Sequence, residues 1–292
     1  MWLKLLLGTF FALSIIGALL VEPASEHELT HESNSGSRSE NDKSLRLLTW
    51  NIGNGDLESE TRAHAEDLPA IARVILDNDV DAVALQELTG NDQLKLLLRQ
   101  LRNRYTGYVC SSGGGDRVEA VLVKKTSAGG KDAGPGEARA IFSDVPAGDK
   151  FAAAATFSVR KDSPEVVLVS VHADAFSASR RRAFATDATN WGRNHSRSEL
   201  TFIAGDFNFE VSTRNKNNLF TDDAKHDSES YAYLLKYFRD LGLDAGETSV
   251  NDRRIDYVFG PTAKVALRRA EVLRSAVVGR MDHWPLLIEV SF

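Results

Sequence analysis

Short apolar runs recur along this chain and are separated by polar segments. The runs are rich in Val, Ile, Leu and Ala and shorter than a typical helix, which favours strands. They predict strands at residues 45–50, 82–85, 108–109, 118–123, 151–159, 166–171, 200–204, 255–259, 265–273 and 286–290.

Two other segments carry apolar residues at helical spacing. One covers residues 67–77, with Pro69 in its first turn, and the other covers residues 92–102. A third helix is predicted around Arg180, and the polar residues 209–230 predict a long loop. This alternation of strands and helices indicates an α/β or α+β fold, and periodicity by itself does not choose between them.

The N-terminus differs in kind from the rest of the chain. Lys4 precedes an uncharged apolar stretch, Leu5 to Val21, after which residues 22–44 are polar and lack apolar periodicity. This pattern predicts a signal peptide or a membrane anchor at 1–21, with a cleaved signal favoured, and a disordered linker at 22–44. A single domain is predicted over 45–292. The positive start and acidic exit predict an exported protein that is periplasmic, secreted or anchored to the outer face of the membrane.

The amino-acid composition excludes few fold and functional classes. The 292 residues are 42% hydrophobic, enough for one substantial core, and the net charge is −6. An acidic balance gives no indication of a protein that coats nucleic acid. Cys110 is the only cysteine, so no disulfide forms within the chain, and we expect it to be a small buried apolar residue.

Polar residues that suit catalysis stand at the ends of several predicted strands. In open α/β sheets ligand sites gather at strand ends, so these residues are expected to converge on one crevice. A carboxylate and an amide side by side, such as Asp206 and Asn208, can hold and orient an attacking or metal-bound water. The polar residues at or near the ends of strands are Asn51, Gln86, Glu87, His172, Asp174, Asp206, Asn208, Asp256, Asp282 and His283.

The order and spacing of these motifs over residues 45–292 resemble the endonuclease/exonuclease/phosphatase family, whose members share the fold of DNase I. Two positions depart from the family pattern: Met281 replaces the serine of its last motif, and Ala173 stands where a leucine usually follows the histidine. Neither change removes an ionisable group. The resemblance implies a four-layer sandwich of two packed β-sheets flanked by helices.

The resemblance also implies a metal-dependent hydrolase of phosphate esters. Glu87 would be the principal metal ligand, with Asn51 beside it, Gln86 in support, and Asp282 holding the metal or its water. Oxygen ligands of this kind suit Mg²⁺, and Mn²⁺ is an alternative.

By the same resemblance, Asp206 would orient or deprotonate the attacking water and Asn208 would position the phosphate. His283 would contact the phosphate or share the role of base, held in its tautomer by Asp256. His172 would donate a hydrogen bond to the phosphate or protonate the leaving group.

Three functional classes stay open at this stage. The favoured one is an exported nuclease acting on nucleic acid; the others are a phosphoesterase acting on a lipid or small phosphorylated molecule, and a non-catalytic binding module. The module is disfavoured because no ionisable role is missing. Arg180 and Arg181 are candidate substrate-binding residues on a phosphate-contacting rim, and a solvated helix face is the equally weighted alternative. Membrane attachment through residues 1–21 is a further expectation.

Overall fold

A computed structural model describes residues 44–53, 67–111, 117–125, 140–159, 163–195, 200–211, 224–250 and 252–292. The predicted signal or anchor at 1–21 and residues 22–43 of the predicted linker lie outside these ranges. Ser44, predicted to end the linker, is instead the first residue of a strand. None of the helices in the described ranges is long and apolar enough to cross a membrane.

Most of the described chain is strand. The strands are β1 (Ser44–Asn51), β2 (Ala82–Leu88), β3 (Tyr105–Val109), β4 (Val118–Lys124), β5 (Ile141–Ala147), β6 (Lys150–Ser158), β7 (Glu165–His172), β8 (Leu200–Asp206), β9 (Phe238–Asp240), β10 (Asp256–Pro261), β11 (Ala266–Val272) and β12 (Leu286–Ser291). The helices are α1 (Leu68–Asp77), α2 (Asn91–Gln100), α3 (Ala178–His195) and α4 (Ala224–Leu235).

The strands form two six-stranded sheets, in the orders β11-β12-β1-β2-β4-β3 and β5-β6-β7-β8-β10-β9. At the centre of each sheet is one parallel pair, β1 with β2 and β7 with β8, and the other pairings are antiparallel. Parallel neighbours end at the same edge of their sheet, so the residues that follow them are brought together.

Alternating residues of β7 show how the layers stack. Leu168 belongs to the apolar core shared with the first sheet and with α1 and α2, whereas Val167 and Val169 pack with Phe184 of α3 in a second core. Successive side chains of a strand point to opposite faces, so β7 is covered by a sheet on one face and by helices on the other. Burial on both faces explains its unbroken apolar sequence. The prediction of a sandwich of two β-sheets with flanking helices is confirmed.

The prediction of a loop across 209–230 was wrong at its C-terminal end, where α4 begins at Ala224. This helix has little apolar periodicity because its contact with α3 includes a charged pair. Asp227 of α4 is buried and accepts a hydrogen bond from Arg181 Nε at 2.9 Å. Two edge strands, β5 and the three-residue β9, were also not predicted.

Candidate active site

The two parallel strand pairs place four of the predicted residues at one end of the sandwich. Asn51 pairs with Gln86 in the first sheet, and His172 pairs with Asp206 in the second. Asn51 then connects the sheets, because its Nδ2 lies 3.1 Å from Glu87 Oε1 and 3.1 Å from Asp206 Oδ2. The strand ends therefore meet in one cluster of buried polar side chains between the sheets, which we call the crevice.

Two antiparallel strands bring Asp256 and His283 to the same place. Asp256 is the first residue of β10 and pairs with Asp206 of β8. His283 lies just before β12, and its Nδ1 is 2.8 Å from Asp256 Oδ2 while its Nε2 is 3.7 Å from Asp206 Oδ2. The buried indole of Trp50 donates a hydrogen bond to the carbonyl of His283 at 3.0 Å, which fixes this segment against β1.

Backbone conformation at the site is unusual. Glu87 and Asn208 have φ of 61° and 53°, in the left-handed region that non-glycine residues rarely occupy. The left-handed conformation costs of order 1–3 kcal/mol at Glu87. It costs less at Asn208, because asparagine adopts this region more readily than most residues. Gly205 cannot be replaced without distortion, because a Cβ there would lie 2.0 Å from the carbonyl oxygen of Val171.

His172 lies between the carboxylates of the two sheets. Its Nε2 is 3.6 Å from Glu87 Oε1 and 3.7 Å from Asp206 Oδ2. Burial lowers the pKa of His172 well below its usual value, and nearby Lys150 adds to the effect. The imidazole is therefore neutral at physiological pH and suited to donating a hydrogen bond.

The carboxylates of the crevice are buried and close together. Burial raises the pKa of Asp206 to about 7, assisted by repulsion from Asp256. Burial also raises the pKa of Glu87, against the opposing charge of Arg117, whose Nη1 lies 2.7 Å from Glu87 Oε2. Burial alone would lower the pKa of His283, but Asp256 and Asp206 together raise it to about 10.

Glu119 of β4 was not recognised as a site residue in the sequence. It is 4% exposed, and its Oε1 lies 3.9 Å from His172 Nδ1, on the side of the ring opposite the crevice carboxylates. The Cys110 thiol donates to Glu119 Oε2 at 3.1 Å, so this cysteine is buried as expected but also hydrogen-bonded. In the sequence, Glu119 is the one carboxylate within an otherwise apolar run. Because the side chains of a strand alternate between its two faces, the sequence pattern is equally consistent with a Glu119 that faces solvent.

We expect Glu119→Gln to change how stability depends on pH. Burial raises the pKa of Glu119 from 4.5 to about 7, so the native state keeps a proton in this window that the unfolded chain loses. The free energy of unfolding therefore falls as pH rises from about 4.5 to about 7, and the glutamine variant lacks this contribution.

Urea unfolding at pH 5 and pH 8 measures this difference. The gain of Glu119→Gln over wild type should be larger at pH 8, while the exposed Glu271→Gln serves as control. Parallel pH dependences for wild type and Glu119→Gln would contradict the burial argument.

The donor atoms of the crevice fit a divalent cation. Ligand atoms of Asp206, Asp256 and His283 all lie within 4.8 Å of one another, and Asp256 Oδ1 is buried without a hydrogen-bond partner. Of the predicted metal residues, Asn51 and Glu87 are in contact, and Asp282 Oδ1 lies 4.0 Å from His283 Nε2. Several buried carboxylate oxygens in one place are what Mg²⁺ requires of its protein ligands.

The structure separates the two predicted arginines. The side chain of Arg180 is 63% exposed and its Nη1 lies 3.5 Å from Asp174 Oδ2. Arg181 is completely buried, pairs with Asp227, and donates to the carbonyls of Asp174 at 3.1 Å and Ala175 at 3.4 Å. Its guanidinium thus anchors the segment that follows His172 and does not reach the surface. The neighbouring Asn208 amide also contacts this segment, at the carbonyl of Ala173.

Residues 48–284 match the family model described as endonuclease/exonuclease/phosphatase family. The chain belongs to this family. Its members are generally hydrolases of phosphate esters and commonly use divalent metals. No curated protein sequence matches the chain significantly.

Solved structures of family members share the fold. A Bacteroides vulgatus endonuclease/exonuclease/phosphatase has 16% identity and a TM-score of 0.63, covering 85% of this chain and 99% of its own. The human Nocturnin catalytic domain with bound sulfate has 18% identity and a TM-score of 0.62, covering 86% and 95%. A Bacteroides thetaiotaomicron mannosyl-6-phosphatase has 17% identity and a TM-score of 0.57, covering 85% and 100%. At such identities the likeness concerns the fold.

Proposed function

We propose that this protein is an exported, metal-dependent nuclease that cleaves phosphodiester bonds by in-line attack of water. The observation that carries the proposal is the position of Asp206. Its carboxylate is buried, accepts a hydrogen bond from Asn51, and lies 3.7 Å from both His172 Nε2 and His283 Nε2. A base that can activate water thus stands beside two imidazole groups that can contact the charged phosphate oxygens, and phosphoryl transfer depends on both functions.

Asp206 is the group that takes a proton from the attacking water. A general base is most effective when its pKa lies near the working pH, and that of Asp206 is raised to about 7. Its second oxygen, Oδ1, accepts a hydrogen bond from the backbone N–H of Asn208 at 2.8 Å, which fixes the carboxylate in place.

His283 contacts a non-bridging phosphate oxygen. Its pKa of about 10 keeps the ring protonated at neutral pH, and Asp256 holds Nδ1 so that the Nε2–H is free to donate. His172 is neutral, which favours a hydrogen bond to the phosphate over protonation of the leaving group. The Asn208 amide uses one N–H on the Ala173 carbonyl and has a second for a phosphate oxygen.

Glu87, Asn51 and Asp282 are the residues that would hold Mg²⁺ or Mn²⁺, with the carboxylates of Asp206 and Asp256 nearby. A divalent ion supplies stabilisation of the charge that develops on the phosphate oxygens. Chelation of the metal is therefore expected to abolish turnover.

Nucleic acid is the preferred substrate because Arg180, eight residues after His172, is an exposed cation that suits a phosphate backbone, and export would give access to extracellular nucleic acid. Export itself rests on the apolar stretch at 5–21, which also allows attachment to a membrane. A second candidate, hydrolysis of a phosphorylated small molecule, is favoured by the similarity in fold to a mannosyl-6-phosphatase. Hydrolysis of a lipid phosphate belongs to the same alternative class.

A substrate panel tests this proposal with the full-length protein. Supercoiled plasmid, bis(p-nitrophenyl) phosphate, mannose 6-phosphate and phospholipid vesicles are each incubated with Mg²⁺ and with EDTA. Nicking of the plasmid that requires Mg²⁺ is expected. Hydrolysis of another substrate with intact plasmid would retain the site and reject the nuclease, and no hydrolysis of any would reject the catalytic assignment.

A further inference from the structure

Residues 173–180 comprise the loop that joins β7 to α3 and the first three residues of that helix, and they are tied directly to the catalytic residues. The N–H of Ala173 donates to the carbonyl of Asp206 at 2.9 Å, and the carbonyl of Ala173 accepts from Asn208 Nδ2 at 3.0 Å. Residues that follow therefore hold a defined position relative to the crevice. We call residues 173–180 the rim segment.

Two further anchors fix the rim segment. Asp174 Oδ1 accepts hydrogen bonds from the N–H groups of Phe176 at 2.8 Å and Ser177 at 2.7 Å. The buried Arg181 of α3 donates to the carbonyls of Asp174 and Ala175 and pairs with Asp227 of α4. The backbone of Phe176 is thus held by its neighbours on both sides.

The side chains of Phe176 and Arg180 nevertheless extend into solvent. Phe176 is 60% exposed, and the side chain of Arg180 is 63% exposed. Phe176 is four residues beyond His172, so the two Cα atoms are within about 14 Å. This span equals a few nucleotides at about 3.4 Å each along a strand. An aromatic ring on a fixed backbone can stack on a planar group with little loss of conformational entropy.

We propose that Phe176 and Arg180 form a nucleotide subsite, in which the Phe176 ring stacks on a base flanking the scissile phosphate and Arg180 contacts a neighbouring phosphate. The proposal rests on the proposed nuclease function and adds a specific contact for the base. Arg180 and Arg181 were the expected substrate-binding pair. Because Arg181 is buried and holds the rim segment, the proposed subsite consists of Arg180 and Phe176 instead.

Chemistry favours a nucleic acid over a lipid surface at the rim. Insertion into a bilayer generally uses several adjacent apolar side chains. Within the rim segment, Phe176 is the only large exposed apolar residue, and the exposed residues beside it are the polar Ser179 and Arg180. An exposed aromatic residue and an exposed arginine four positions apart in the rim segment suit the alternation of base and phosphate along a strand.

The test compares two single-stranded oligonucleotides, one with bases and one with abasic sugars and the same phosphates. Binding is measured by fluorescence anisotropy with full-length protein carrying His283→Ala, so that neither strand is cleaved. Phe176→Ala should weaken binding of the base-bearing strand about 5- to 150-fold, the loss of one stacked base, and leave the abasic strand unchanged. Phe176→Trp should retain binding, and Val277→Ala, at a residue that is 74% exposed, is the control.

Arg180→Ala should weaken binding of both strands equally and lower the slope of log affinity against log salt by about one. Equal effects of Phe176→Ala on the two strands, or none, would overturn the stacking contact, as would a loss of vesicle binding in Phe176→Ala without a loss of oligonucleotide binding. If wild-type protein cleaves neither plasmid nor oligonucleotide, the nuclease proposal fails; if it cleaves both and Phe176→Ala shows no base-dependent effect, only the subsite fails.

Discussion

Replacement of Asp206 by Asn is expected to reduce kcat for phosphodiester hydrolysis by about 10²–10⁴-fold, the contribution typical of a general base. Asparagine keeps the size of the side chain, but its single amide oxygen can accept from the Asn208 N–H or from Asn51 Nδ2 and not from both. It cannot accept a proton. The measurement is steady-state hydrolysis of bis(p-nitrophenyl) phosphate in Mg²⁺, with the exposed Asp244→Asn as control.

The melting temperature of Asp206→Asn shows whether a loss of activity comes from the missing base or from unfolding. Because burial raises the pKa of Asp206 from 3.8 to about 7, the native state keeps its proton in that window, and the free energy of unfolding falls as pH rises through it. The melting temperature of Asp206→Asn relative to wild type should therefore be higher at pH 8 than at pH 5. Retained activity in this variant would refute the role of Asp206 as base, and a relative melting temperature that is the same at both pH values would refute the raised pKa.

Replacement of His283 by Ala is expected to lower kcat by about 10²–10⁴-fold, because it removes a charged donor to the phosphate. Asp256→Asn should also lower kcat, but by less, because the His283 imidazole is still present. The substitution weakens the hydrogen bond to His283 Nδ1 and lowers the pKa of that imidazole. The pH profile separates the variants: Asp256→Asn should lose activity at a lower alkaline pH than wild type.

His226→Ala on α4 provides the matched control for a histidine outside the crevice and should leave kcat unchanged. A change of less than about fivefold in His283→Ala would contradict the assigned phosphate contact.

The strands that carry the site were predictable because their sequences are unambiguous. β7 and β8 are buried on both faces, so their apolar runs are continuous and the polar residues at their ends stand out. The predicted helices at 67–77 and 92–102 agree with α1 and α2 to within about two residues, since each has one apolar face. The α4 helix was missed because Asp227 replaces an apolar contact with a buried charge.

Within the site, the convergence of Asn51, Glu87, His172, Asp206, Asp256 and His283 follows from the parallel strand pairs and the register of β10 and β12. The sequence did not show which polar side chains outside the strand ends are buried. Glu119 and Arg181 are buried by contacts with residues distant in the chain, His172 and Asp227, and no local pattern marks such partners. Arg117, beside Glu87, was missed for the same reason.

Hydrolysis of bis(p-nitrophenyl) phosphate by full-length wild-type protein and Asp206→Asn, with Mg²⁺ and with EDTA, is the most direct test of a metal-dependent site at Asp206. Wild-type protein is expected to release p-nitrophenol only when Mg²⁺ is present, and Asp206→Asn is expected to be folded but nearly inactive. Hydrolysis that continues in EDTA, or that is equal in the two proteins, would contradict a metal-dependent site centred on Asp206.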